Sequence, residues 1–365
     1  MRIIVTGGGT GGHLFPGIAV ATAMQERIPG CRVLFIGTER QLDRTTLGGY
    51  DFERGTISCM GLKGMGIGHR FRSLAVLPKA VWQAGRILAR FRPDLALGVG
   101  GYVTGPVLVA AKLGWGRRRI PVCIHEQNSV PGLANRMLAR IADRIFLSIP
   151  CDYPFPPART VLSGNPVRRE IVQAAAEERP QPVTPVVLVL GGSQGAHRLN
   201  MVMLEAAPEL KKRLADDFMV IHQTGSRDQD RVRAGYSALG IRAEVADFFQ
   251  DMASLYSRAS LVVSRAGATT LAELAVMGLP ALLVPYPHAA DNHQEINAHY
   301  YARGGGARVF LERELSGAIV ADQIGDLLQA PEKLHTMASC MKKMGRPDAT
   351  LCIVEECLRL VNANR

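Results

Sequence analysis

RIIVTGGGTGGHLFPG, residues Arg2–Gly17, joins an apolar, strand-like run ending at Thr6 to a knot of glycines between Gly7 and Gly12, followed at once by His13. Gly7, Gly9 and Gly12 satisfy G-x-G-x-x-G, which between a strand and a helix is the dinucleotide-binding pattern. A nicotinamide domain also needs an acid at the end of its second strand to take the ribose hydroxyls. Here the second apolar run, RVLFIG, ends in Gly37, and Glu39 lies two residues past it, so the glycines argue for something else. A glycine turn feeding a helix holds any phosphate, because the first N–H groups of the helix are unpaired and the helix dipole is positive there.

Working outward, short β-branched runs alternate with helix-length segments. Ile3–Thr6, Val33–Ile36, Leu95–Val99, Val122–His125 and Ile145–Leu147 read as strands, the rhythm of a parallel sheet with helices on both faces. A polar, proline-rich link, AEERPQPVTP, is then followed by VVLVLGGSQGAHRLNMVMLEA, again a strand, a glycine turn and a helix. Strands at Met219–His222, Leu261–Val263 and Ala281–Val284 complete a second sheet. The fold class is α/β, in two copies of one architecture. Tight turns for close packing explain one such glycine loop comfortably and two less well, so GGTGGH and GGSQGA read as two anion cradles.

The 365 residues are enough for two domains of about 150 to 200 residues each. A hydrophobic content of 47% with 21% charged residues is that of a packed protein, and the net charge of +11 implies an anionic partner. No aromatic-rich nucleic-acid motif, zinc spacing or basic tail is present, so nucleic acid is not expected as that partner. Seven scattered cysteines without a C-x-x-C pair fit buried thiols in a reducing cytoplasm. The strand at the start leaves no room for a signal peptide. The lipid-like run Leu95–Ala111 carries Gly98, Gly100, Gly101, Gly105 and Pro106, and reads as strand, turn and helix rather than a membrane span.

Two later stretches carry sugar-nucleotide chemistry. SRAGATTLAE (Ser264–Glu273) opens a helix after a strand and offers N–H groups and hydroxyls to a diphosphate, with Glu273 able to accept from ribose hydroxyls. PYPHAADNHQEINA (Pro285–Ala298) sets Asp291, Asn292, His293 and Gln294 in a row suited to sugar hydroxyls.

Taken in order, GGTGGH, GGYVTGP (Gly100–Pro106), HEQN (His125–Asn128), GNPVR (Gly164–Arg168), GGSQGA (Gly191–Ala196), SRAGATTLAE and AADNHQEINA resemble the MurG family of peptidoglycan N-acetylglucosaminyltransferases over nearly the whole chain. One departure is Gln41-Leu42-Asp43, where the family usually carries Gly-Met-Glu. The resemblance implies a GT-B fold, two Rossmann-like domains whose parallel sheets face each other across a cleft. It implies an acceptor- and membrane-facing domain over 1–166, joined by a helix at 345–365 that packs back on it, and a donor domain over 167–344. The implied reaction moves GlcNAc from UDP-GlcNAc to the MurNAc 4-hydroxyl of lipid I, giving lipid II and UDP with inversion, on the cytoplasmic face of the bacterial inner membrane. It implies substrate contacts from Thr10, Gly11 and Gly12 in the first cradle. For the donor it implies Asn128, Arg168, Ser193, the backbone of Phe249, Ala268, Thr269, Thr270, Leu271, Ala272, Glu273 and Gln294. A UDP-GlcNAc 2-epimerase of the same fold, or a non-catalytic sugar-nucleotide sensor, are the alternatives.

Inverting transfer needs a base for the acceptor proton and a stabiliser for the departing diphosphate. Helix N-termini can meet the second need, so no metal and no cofactor are expected. The single D-x-D, Asp228-Gln229-Asp230 between Arg227 and Arg231, reads as a solvated helix start. His13 is the first candidate base, since an unperturbed imidazole titrates near neutrality. A histidine capping its own glycine turn is the alternative for that residue, and Glu126 is the alternative base. His125 reads as a buried strand end. Finally, GHRFRSLAVLPKAVWQAGRILARFR mixes Phe71, Leu74, Leu77, Val81 and Trp82 with Arg70, Arg72, Lys79, Arg86 and Arg90. That is the composition of a segment lying on an anionic membrane, or of an amphipathic helix on a sheet, with Trp115 and Arg117–Arg119 as an extension.

Overall fold

Ile3, Ile4 and Val5, like the VVLVL of residues 186–190, are buried on both sides, as strands of a parallel sheet covered on both faces must be. A computed structural model describes residues 1–8, 11–38, 47–59, 67–114, 120–177, 184–192 and 195–364, without the side chains of 11 and 67–76. The chain divides into two compact units, Met1–Arg168 with Pro347–Arg365, and Arg169–Arg346.

The first unit holds seven strands: β1 (Arg2–Thr6), β2 (Arg32–Gly37), β3 (Glu53–Thr56), β4 (Leu95–Gly98), β5 (Val122–Glu126), β6 (Arg144–Leu147) and β7 (Thr160–Leu162). They form one parallel sheet in the order β3-β2-β1-β4-β5-β6-β7. The second unit repeats the plan with β8 (Val186–Leu190), β9 (Met219–Gln223), β10 (Ala243–Ala246), β11 (Leu261–Ser264), β12 (Ala281–Leu283) and β13 (Ala307–Val309), ordered β10-β9-β8-β11-β12-β13. In each sheet the order reverses beside its first strand, between β1 and β4 and between β8 and β11. Ligands of open α/β sheets bind outside the carboxyl ends of the strands at such a switch point.

The core strands follow the apolar runs. The edge strands do not, because ERGT, TVL, AEVA and ARV are only three or four residues long, ERGT mostly exposed and the others mostly half-buried, too short to carry an apolar signature. Leu95–Ala111 divides into β4 and the helix Thr104–Leu113, and no described helix is long and apolar enough to cross a membrane. The helix Ala349–Ala363 returns to the first unit. It buries Ile353, Val354, Cys357 and Val361 among Ile3, Leu14, Ile18 and Ala21, and Arg27–Glu355 and Arg144–Glu356 pair along its rim at 3.2 and 3.1 Å. None of the seven cysteines forms a disulfide, but only Cys31, Cys123 and Cys357 are buried and the other four are half-buried, so the expectation of buried thiols holds for three of them and is corrected for four.

Candidate active site

The first glycine loop sits at the β1/β4 switch point. The helix Gly11–Arg27 starts two residues before His13, and the loop after β4 closes on it. Gly101 has φ +84°, and a Cβ there would stand 2.6 Å from the Gly8 carbonyl, while one on Gly100 would stand 2.7 Å from His13 Nδ1. Only glycine admits this approach. His13 Nδ1 lies 3.2 Å from Gln127 Oε1. The Gln127 amide nitrogen donates to the Val99 carbonyl at 2.7 Å and lies 3.1 Å from His125 Nδ1. His125 is wholly buried at the end of β5, as its sequence position predicts, and burial lowers its pKa to about 4.

Glu126 stands between those two residues and serves a different purpose. Its Oε1 accepts from the Asn128 backbone N–H at 3.0 Å and from Asn128 Nδ2 at 3.3 Å. Oε2 accepts from the Gly132 N–H at 2.9 Å and from Asn135 Nδ2 at 2.8 Å. Glu126 is 2% exposed, so its lone pairs are spent on the segment 128–135 that follows β5. Arg168 stacks its guanidinium over the Phe15 ring, 4.9 Å from the centroid.

In the second unit the described part of the GGSQGA loop is held by Gln223, at the end of β9. Its Nε2 donates to the Gly192 carbonyl at 3.0 Å, and its Oε1 accepts from the Phe249 N–H at 3.1 Å. Gly195, with φ +77°, has the Thr224 carbonyl 2.1 Å from where a Cβ would stand. The helix Ala268–Met277 opens after Gly267 at the β8/β11 switch point, so Ala268, Thr269 and Thr270 present its first N–H groups there. Glu273, one turn in, is 4% exposed and accepts from the Tyr256 hydroxyl at 2.8 Å. Gln294 Oε1 accepts from the Tyr286 N–H at 2.9 Å. Just before it, Asp291 and Asn292 both hold φ +54°, a left-handed pair of a kind that clusters at functional sites.

Residues 3–147 match the glycosyltransferase family 28 N-terminal domain, and residues 186–351 match its C-terminal domain. This chain belongs to glycosyltransferase family 28. It is 48% identical over 362 residues, 99% of this chain and 97% of the other, to the "UDP-N-acetylglucosamine--N-acetylmuramyl-(pentapeptide) pyrophosphoryl-undecaprenol N-acetylglucosamine transferase" of Desulfotalea psychrophila. It is 45% identical to the protein of the same description from Geotalea daltonii, over 98% of this chain and 97% of that one. The crystal structure of Acinetobacter baumannii MurG matches with a TM-score of 0.77 at 30% identity, over 98% of this chain and 99% of that one. A UDP-GlcNAc 2-epimerase from Neisseria meningitidis, bound to UDP-GlcNAc, matches with a TM-score of 0.67 at 15% identity, over 98% and 100%, a likeness of fold alone. The two parallel-sheet units are thus the Rossmann-like pair of a GT-B glycosyltransferase.

Several features of this family 28 chain were invisible in sequence. Gln127 and Gln223 tie together the loops at the strand ends, and Arg265 braces two more, donating to the Val284 and Pro285 carbonyls at 3.2 Å and pairing with Glu312. The D-x-D expectation needs correction, because its two acids are not alike. Asp230 is exposed and pairs with Arg233. Asp228 is 5% exposed and accepts from His197 at 3.0 Å and Asn200 at 2.9 Å. Burial pushes its carboxyl pKa up, and the bonds from Asn200 and His197 outweigh that and hold it below the usual value. It is a buried brace, not a solvated cap. Among the described residues no cluster of three His, Cys, Asp or Glu could hold a metal. Thr10, Ser193, Gln41-Leu42-Asp43, Trp115 and Arg117–Arg119 lie outside the described residues, as do the side chains of Arg70–Leu74. In the rest of the helix Ile67–Phe91, Ala80, Ala84 and Leu88 pack on the sheet while Trp82 stays 47% exposed beneath the Arg86 guanidinium. Leu133 and Met137, one turn apart on the helix Leu133–Leu138, are also exposed.

Proposed function

We propose that this chain transfers GlcNAc from UDP-GlcNAc to the MurNAc 4-hydroxyl of lipid I, releasing UDP and forming lipid II with inversion at the anomeric carbon. The observation that carries this reading is full-length identity of 48% to a protein described as that transferase, against 15% to the epimerase that shares only the fold. In the proposed reaction His13 takes the O4 proton, O4 attacks the anomeric carbon, and the bond to the diphosphate breaks. His13 is favoured over Glu126 because both Glu126 oxygens already accept two N–H bonds each, so a proton on either one would have to displace a bond that holds the segment 128–135. The second unit supplies the donor site. N–H groups at the start of Ala268–Met277 and the cradle at 191–196 take the diphosphate charge, Glu273 takes ribose hydroxyls, and Gln294 the sugar. Arg168, Asn128 and the Phe249 backbone complete the donor contacts, and Gly11 and Gly12, with Thr10, line the acceptor side.

The same reading has the enzyme work as a peripheral protein on the cytoplasmic face of the inner membrane, since its acceptor is lipid-linked. The net charge of +11 and the exposed Trp82, Leu133 and Met137 of the first unit support an anionic lipid surface as partner. UDP release from UDP-GlcNAc, measured with and without a lipid I analogue and with EDTA present, tests the whole scheme. Release that needs the analogue and survives EDTA is expected. Turnover of UDP-GlcNAc alone to its 2-epimer overturns it, and loss restored by Mg²⁺ overturns the metal-free part.

A further inference from the structure

A buried amide can reveal which way it points through a neighbour that can only accept. Gln127 is 2% exposed, and one end of its amide lies 2.7 Å from the Val99 carbonyl oxygen. A carbonyl has no proton to give, so that end is the NH2 group. Its second hydrogen goes to His125 Nδ1 at 3.1 Å, which is therefore the bare nitrogen of that ring. The proton of His125 sits on Nε2, which lies 3.1 Å from the Ser148 hydroxyl oxygen and 3.3 Å from the Gly164 carbonyl, both able to accept it. Each N–H of this series of bonds meets an acceptor, and the arrangement holds only with His125 neutral. A proton on its Nδ1 would face the amide hydrogens and turn Gln127 over.

The other end of the amide is then its oxygen, and it faces His13 Nδ1 at 3.2 Å. We propose that Gln127 is the positioning residue for the base: its Oε1 accepts the Nδ1 proton of His13 and so fixes the tautomer whose Nε2 carries the lone pair. The identity of the protonated ring nitrogen is set by the bond the other makes. A base that must take a proton through Nε2 loses its function in the other tautomer even when the ring stays in place. The series Val99 carbonyl, Gln127, His13, together with buried neutral His125, thus reads as a support that points one nitrogen of one ring. The inference rests on His13 being the base, as proposed above.

The test combines spectroscopy with a double-mutant cycle. In enzyme labelled with ¹⁵N-histidine, the His13 signals, assigned by their loss in His13→Ala, are expected to be those of an Nδ1–H ring. In Gln127→Met, which keeps the length and removes the acceptor, they shift toward the Nε2–H form. Turnover of Gln127→Met is expected to fall by about 10- to 100-fold, part of what general-base catalysis contributes, with KM for UDP-GlcNAc within about twofold. The same substitution in a His13→Ala background changes turnover less than about twofold. An Nε2–H ring in the unmodified enzyme, or an equal loss in both backgrounds, overturns the proposal. If His13→Ala keeps its turnover while the spectra behave as described, the base reading fails and the tautomer assignment stands.

Discussion

Glu126 accepts N–H groups from Asn128, Gly132 and Asn135, and His13 Nδ1 faces Gln127 Oε1 at 3.2 Å; substitution tells apart these two residues, which the sequence left in competition. Turnover of His13→Ala is expected to drop by about two to four orders of magnitude with donor affinity nearly unchanged, which steady-state kinetics at varied UDP-GlcNAc measures. Glu126→Ala is expected to act through stability. It strands donors of the 128–135 segment, each costing about 1 to 3 kcal/mol when buried, so the melting temperature falls by several degrees. A Glu126→Ala enzyme that melts normally but has lost turnover as His13→Ala does would transfer the base to Glu126. For the donor, Glu273 is a buried carboxylate with one oxygen set by Tyr256. If its remaining acceptor capacity takes ribose hydroxyls, Glu273→Ala removes charge-assisted bonds of about 1.5 to 3 kcal/mol and KM for UDP-GlcNAc rises roughly tenfold or more. An unchanged KM refutes that role.

Each glycine loop joins a buried strand to a helix, and a neighbouring group fills the space a side chain would take: the Val99 side chain at Gly7 and the Thr224 carbonyl at Gly195. Gly195 is the sharper case. With φ +77° and the Thr224 carbonyl 2.1 Å from where an added methyl group would stand, Gly195→Ala is strained twice, by conformation and by contact. The loop must move, and with it the start of the helix His197–Leu214. Weaker donor binding in isothermal titration is the expected result, with the fold retained by circular dichroism; unaltered donor affinity would separate this loop from the donor site. The central elements were legible because buried parallel strands read as unbroken apolar runs and glycine knots mark the turns after β1 and β8. Edge strands such as Ala243–Ala246 were not, since a half-exposed strand needs no apolar pattern. The candidate base, the glycines and Glu273 could be named from residue type and position. Gln127 and Gln223 could not, because an amide gains its meaning only from the carbonyls and rings that folding brings to it. The same limit explains Asp228, whose neighbours His197 and Asn200 arrive from another helix.

At the scale of the molecule, each unit keeps one histidine neutral in its interior, and this makes the whole chain sensitive to mild acid. His125 in the first unit is wholly buried, with a pKa lowered to about 4 by desolvation. His222 in the second has its pKa lowered to about 3, again by burial, between Asn200 and the Tyr236 hydroxyl at 3.0 Å each. Unfolded, both rings would titrate near 6.5. Between that value and the folded ones the unfolded chain binds protons that the folded chain refuses, so the unfolding free energy decreases as pH falls, at about 1.4 kcal/mol per pH unit for each ring. Above about pH 6.5 these rings contribute no slope, and below about pH 3 to 4 the folded state is protonated too and their loss is complete. Urea unfolding followed at pH 7.5, 6.5, 5.5 and 5.0 is expected to give a plateau and then a decline reaching about 4 kcal/mol at pH 5.0 for the two rings together. This window lies above the range where ordinary carboxylates titrate, which keeps their contribution small. His222→Asn should halve the slope while lowering stability at neutral pH. A stability that stays flat from pH 7.5 to 5.0 would mean that the two rings are not held neutral in the folded chain.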